Sequence, residues 1–143
     1  MKTFALSQGD LVVGQAGHAT ISGAAKIRQE LALDLGEEFG TDRFHPDQWG
    51  STVLKFIGEP VTPSLEAAVR SEVARTVSQY IAIQDQEIYS GFIDGTRSRF
   101  GAGDVVRTIS RLDVTVDRSS IFISLGLVTL SGQSIDINRT VAL

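Results

Sequence analysis

Residues 62–83, TPSLEAAVRSEVARTVSQYIAI, decide the fold. Thr62 before Pro63 is a helix cap followed by proline at the first helical position, where the missing N–H costs nothing. Leu65, Val69, Val73, Val77 and Ile81 then recur at four-residue steps. A turn holds 3.6 residues, so this stripe drifts by about 40° per step, and Tyr80 and Ile83 broaden it further. A helix of about 20 residues with so wide an apolar band has to pack against more than one element, such as a second helix and a sheet.

Both partners can be read on either side. Upstream, Ser22 is positioned as a cap, Ala24, Ile27, Leu31 and Leu35 recur at helical spacing, and the pattern stops at Gly36, a residue favoured just beyond a helix end. Lys26, Gln29, Glu30 and Asp34 are expected on the outer face of this helix, toward solvent or a polar partner. Before it, Leu11 to Val13 is a short β-like run, and the glycines of GQAGHATISG (14–23) mark turns or an irregular strand. Downstream, SGFIDGTRSRFGAGD (90–104) has no periodicity and is expected to be a long connection anchored by Phe92, Ile93 and Phe100, with FGAGD as a flexible joint.

Beyond residue 104 the period changes to two. Leu112, Val114 and Val116 alternate with Asp113, Thr115 and Asp117, predicting a half-buried strand. IFISLGLVTL (121–130) is apolar on both sides and predicts a strand covered on both faces. After the Ser131-Gly132 turn, Ile135, Ile137 and Val141 alternate with Ser134, Asp136 and Asn138. Helices first and strands last give an α+β fold: two main helices with a short intervening segment, packed on a C-terminal antiparallel β-meander, in one domain spanning 1–143.

Composition narrows the function. The chain has 143 residues, 42% of them hydrophobic and 21% charged, which is ordinary for a globular domain with one sizeable core. A net charge of −4 without runs of one sign argues against nucleic acid or an anionic membrane as the main partner, and points to protein. Cysteine is absent, which removes disulfides, thiolate metal sites and a cysteine nucleophile. The N-terminus MKTFALSQGD lacks the apolar core of a secretory signal, and no uncharged run approaches the roughly 20 residues of a membrane span.

Chemical candidates are few. His45 flanked by Asp42 and Asp47 has no second histidine at ligand spacing, since His18 is far away in sequence. Asp34, Glu37 and Glu38 could in principle serve as glycosidase-type acid and base, although adjacent glutamates after a helix end are usually just solvated. No serine sits in a nucleophile elbow, FGAGD lacks the lysine and following helix of a phosphate loop, and Asn138-Arg139-Thr140 matches a glycosylation acceptor without a secretory context. Neither cofactor nor metal is expected. What remains is GTDRFHPDQWGSTVLKFIGEP (40–60), which sets the sole tryptophan among charges, glycines and prolines.

That stretch carries a resemblance. A first helix ending IRQELALDL, the loop with Gly40, Thr41, Arg43, Pro46, Trp49 and Gly50, the apolar Leu54 and Ile57-Gly58, the long helix and a terminal meander together resemble the T4-type baseplate wedge proteins of contractile phage tails. This family is often labelled lysozyme-like and includes the sheath-initiator component of type VI secretion systems. The resemblance covers the chain from about Asp10 onward. It departs at the Glu-Pro-Arg triplet that many members carry near the end of the long helix, where this chain has Ser78-Gln79-Tyr80 or Gln84-Asp85-Gln86.

The resemblance implies a structural, non-enzymatic part of a virion tail baseplate, made and assembled in the host bacterial cytoplasm. Its implied partners are baseplate wedge proteins and the tail sheath protein, with central spike or tube proteins as further contacts, and its implied number is six copies. The expected interface residues are Arg43, Phe44, Pro46 and Trp49 in the loop, with Arg43 and Asp47 holding it in place. The last strand adds Ile135, Ile137, Arg139 and Val141 as an edge able to accept a strand, guarded by Asp136 and Arg139. Trp49 serves either as an interface anchor or as a core plug. The rival functions are a tail-associated glycan hydrolase and a cytoplasmic protein-binding module unrelated to tails.

Overall fold

Two helices lie against one face of a three-stranded antiparallel sheet in the computed structural model, which describes residues 2–7, 10–14, 17–41, 43, 47–95 and 100–142. In chain order the elements are β1 (Lys2–Phe4), β2 (Leu6–Ser7), β3 (Asp10–Leu11), β4 (Val13–Gly14), β5 (Gly17–His18), β6 (Thr20–Ser22), α1 (Gly23–Gly36), a 3-10 turn (Val53–Phe56), α2 (Pro63–Ile93), β7 (Val106–Val116), β8 (Ser120–Thr129) and β9 (Ser134–Ala142). The architecture is α+β, with the meander ordered β7-β8-β9.

The start of α2 follows from its sequence, because the Thr62 hydroxyl accepts the Leu65 N–H at 3.1 Å and Pro63 sits in the first turn. Leu65, Val69, Val73 and Val77 are buried. The helix runs ten residues past the expected end, since Gly91 weakens a helix by only about 1 kcal/mol and the break waits for Asp94 and Gly95, the latter at φ +66°. Two of the three expected anchors therefore lie on nearly three extra turns of helix and are exposed, Phe92 at 82% and Ile93 at 64%, whereas Phe100 is partly buried beside Lys26.

The sheet follows the two-residue period. Register aligns Ile109 with Leu127 and Ile135, and Leu112 with Leu125 and Ile137, in rows that face the helices. Val116, Ile121 and Val141 form a further row. Contrary to expectation, β8 is central but covered on one face only. Its other side chains share the open face with polar neighbours, and Phe122 there is 47% exposed. Arg111 stitches this face by reaching Ser124 at 2.9 Å and Asp136 at 3.4 Å.

Of the two settings expected for the polar face of α1, Lys26 and Asp34 take the polar partner and are buried, while Ala25 and Arg28 are exposed. Two corrections concern the ends of this helix. Gly36 is the last helical residue, not the one beyond it, and the Arg139 guanidinium lies where a Cβ would project. Ser22 holds the cap position without a side-chain bond, and the Gly23 N–H is met instead by Asp104 Oδ1 at 2.5 Å. The FGAGD segment is accordingly a hydrogen-bonded turn, with the Gly101 N–H on Asp104 Oδ2 and the Asp104 N–H on the Gly101 carbonyl.

The N-terminal residues form three small antiparallel pairs, β1 with β6, β2 with β3 and β4 with β5. The expected run Leu11 to Val13 is divided between two of them, and β1 had no signal in the sequence pattern. Gln29 of α1 ties this ribbon down as a strand would: its amide accepts the Leu6 N–H and donates to the Phe4 carbonyl, both at 2.8 Å. Gln84 of α2 does the same for the chain entering β7, donating to the Asp104 carbonyl at 3.0 Å and accepting the Val106 N–H at 3.1 Å.

Candidate functional site

Helices α1 and α2 meet along a polar seam rather than a second apolar one. Lys26 pairs with Glu30 at 2.8 Å, the Tyr80 hydroxyl donates to the same Glu30 oxygen at 2.7 Å, and Lys26 also lies 5.8 Å from the centre of the Phe100 ring. Burial, followed by the charge of Glu30, holds the Tyr80 phenol far above its ordinary range, so it stays a donor. Spacing i, i+4, i+8 places Lys26, Glu30 and Asp34 on one side of α1, the stripe expected to face solvent or a polar partner.

The loop after α1 is held to this seam through its backbone. Asp34 Oδ1 accepts the Gly50 N–H at 2.6 Å, Gln79 donates to the Asp47 carbonyl at 2.7 Å, and Glu72 accepts the Thr52 N–H at 2.8 Å. Arg75 spans Glu72 at 2.8 Å and lies over the Phe39 ring at 5.1 Å. Gly50 is required: it adopts φ +96°, and a Cβ there would fall 2.8 Å from the Phe39 backbone. A parallel bridge between Glu38 and Ser51 closes the base of the loop.

These contacts set two carboxyls in opposite directions. Burial pushes Asp34 up to about 6; the Gly50 N–H works against the shift and Glu37 adds to it. Burial also works to raise Glu72, but the hydrogen bonds from Arg75 and the Thr52 N–H outweigh it and hold the group below its ordinary value. A buried carboxyl with a raised pKa beside a cleft is a functional-site signal.

The expected interface residues fall into different places. Trp49 is neither a plug nor free: it is half-buried against the core, with its ring edge-on to Tyr80 at 6.4 Å. Arg43 is exposed. Phe44 and Pro46, with His45 and Asp42, lie outside the described residues. Asp47 holds the loop by its carbonyl rather than its exposed carboxylate. The groups that fix the loop, Asp34, Glu72, Arg75 and Gln79, were missed in the sequence. Their signal was a polar stripe beside the valines of α2, at i, i+3 and i+7.

Beside Trp49 is an open pocket of about 250 Å3 lined by Glu30, Leu33, Asp34 and Glu37, adjoining a smaller one of about 110 Å3 at Lys26, Tyr80 and Phe100. Among the described residues no group of three or more metal-binding side chains converges, and no helix is long and apolar enough to cross a membrane.

The C-terminal strand corrects the rest. Ile135, Ile137 and Val141 are buried in the core, so their side chains are not an interface. Arg139 shares their face and reaches α1 at Gly36 instead of guarding the edge. What β9 does present is backbone: among the described residues it pairs with β8 on one side only. Arg28 donates to the Asp136 carbonyl at 3.2 Å, which shows that residue 136 turns its polar groups away from β8. The alternation of an antiparallel ladder then turns Asn138 and Thr140 outward as well. Compared with protein-family models, with curated proteins and with solved structures, the chain finds no match in any of the three.

Proposed function

We propose that the chain is a structural component of the baseplate of a contractile tail or related injection system, which binds wedge proteins and starts the sheath by accepting a strand at the outer edge of β9. The observation that carries this reading is the edge itself: a nine-residue strand, backed by buried side chains, with the backbone groups of 136, 138 and 140 directed away from the sheet. Each main-chain bond adds only about 1 kcal/mol net, so one edge binds weakly. Six copies in a ring would add these contacts and fix the register of the first sheath layer.

The test is Asn138→Pro, which removes an outward donor while leaving the ladder to β8 intact. Proline is tolerated at an edge in that orientation. Ile137→Pro would break the β8 pairing instead. Particles carrying Asn138→Pro should incorporate the protein and fail to grow sheath; normal sheath on those particles refutes strand acceptance.

One observation favours a second reading. A buried acid of raised pKa beside a tryptophan, with Glu30 and Glu37 nearby, is the chemistry of glycan hydrolysis. Release of reducing sugar from peptidoglycan by the purified chain, abolished in Asp34→Asn, would establish it in place of the structural role.

A further inference from the structure

The pocket beside Trp49 holds negative charge that the described residues leave unmatched. Of its carboxylates, Glu30 is neutralised by Lys26. Asp34 is 5% exposed, and its only hydrogen bond among the described residues is the one Oδ1 accepts from Gly50, which leaves Oδ2 to the pocket. Glu37, one turn further along α1, is exposed at the rim. Arg75, the nearest cation from α2, is spent on Glu72. The indole supplies a flat, electron-rich wall.

We propose that this pocket receives the guanidinium of an arginine presented by a protein partner. The group lies flat on the Trp49 ring, as cations do on aromatic faces, and its planar fork donates to Asp34 Oδ2 and Glu37. Size agrees: about 250 Å3 is below the roughly 300–1,000 Å3 of pockets for drug-sized ligands and suits one long side chain. A bare divalent ion is disfavoured by the donors themselves, which do not converge on one point among the described residues. Arginine is preferred to lysine because two acceptors on one side of an indole match a fork better than a point charge. The inference deepens the structural reading above and rests on it in taking the ligand to be a protein.

Trp49 is the sole tryptophan, so its indole N–H gives one resonance in a proton–nitrogen correlation spectrum. The intact chain is titrated with N-acetyl-arginine amide and, separately, with the uncharged isostere N-acetyl-citrulline amide and with a chito-oligosaccharide. A saturable shift with the arginine probe alone is expected, at millimolar strength for so small a ligand. Asp34→Asn should weaken it at least tenfold, and Glu37→Gln, an exposed change that leaves the fold intact, several-fold. The proposal is overturned by an equal shift with citrulline, by a shift with the saccharide alone, by no saturable shift, or by unchanged binding in both variants. If arginine binds while Asn138→Pro particles still grow sheath, the strand-accepting reading falls alone. If those particles lack sheath and citrulline matches arginine, the pocket proposal falls alone.

Discussion

The C-terminal meander and the N-terminal ribbon are both antiparallel, yet they are held by different means. Strands β7 to β9 are 9 to 11 residues long and bury one face in continuous rows against α1 and α2. Strands β1 to β6 are two or three residues long, leave Phe4, Leu11 and Val13 exposed, and are joined to α1 through the amide of Gln29. Burial of apolar surface supports the first; a few directed hydrogen bonds position the second. The loop that carries Trp49 belongs with the ribbon in this respect, since its anchors among the described residues are polar and mostly engage backbone.

The sharpest way to break this contrast is Val73→Asp. Val73 is fully buried in the valine stripe, and an unpaired charge there should destabilise the fold by more than about 4 kcal/mol, with loss of the sheet signal in circular dichroism. A folded Val73→Asp chain that failed only in assembly would make the stripe an interface.

Next in size is Asp34→Asn, which acts on the polar seam. Asp34 has a folded pKa of about 6 against its ordinary value of 3.8, so the folded state binds the proton more tightly. Its contribution to stability is full below the unfolded pKa and is lost as pH rises through 6. The neutral amide keeps the acceptor for Gly50 and removes that loss. Stability at pH 7.5 should rise by up to about 3 kcal/mol, and the gain of the parent protein between pH 7.5 and 5 should flatten. Glu72, held below its ordinary value, acts oppositely: its stabilisation is present above its unfolded pKa and lost as pH falls through the folded one. Denaturant unfolding at several pH values checks both signs, and an Asp34→Asn chain weaker than its parent at pH 7.5 would overturn the assignment.

Smallest is Gln29→Ala. It should change global stability by about 1 kcal/mol or less while the Leu6 amide loses its protection in hydrogen exchange. If the meander lost protection to the same degree, the ribbon would be part of the main cooperative unit and the contrast would fail.

The same difference governs what could be read in advance. The meander, the valine stripe and the Thr62-Pro63 start of α2 were legible because each writes burial into a repeating pattern. The ribbon was not, because strands of two residues are too short to show a period and Gln29 recognises backbone, which leaves no mark on the partner's sequence. The pocket was missed for a related reason: Lys26, Glu30 and Asp34 form a regular polar stripe, and such a stripe looks the same whether water or a second helix faces it. Only α2 supplies Tyr80 and Arg75 to tell the cases apart.

The cap of α1 has a consequence for the order of events in the chain's formation. The first amide of this helix is satisfied by Asp104, 81 residues later, and the turn that aims Asp104 is in turn tied to the β8–β9 turn through Ser131 and Ala102. During synthesis α1 emerges early but waits, with its amino end open, until most of the protein has left the ribosome. Closing so long a loop is slow relative to helix growth, so the earliest helix of the sequence is among the last to be completed, and nascent chains truncated before residue 104 should carry it frayed.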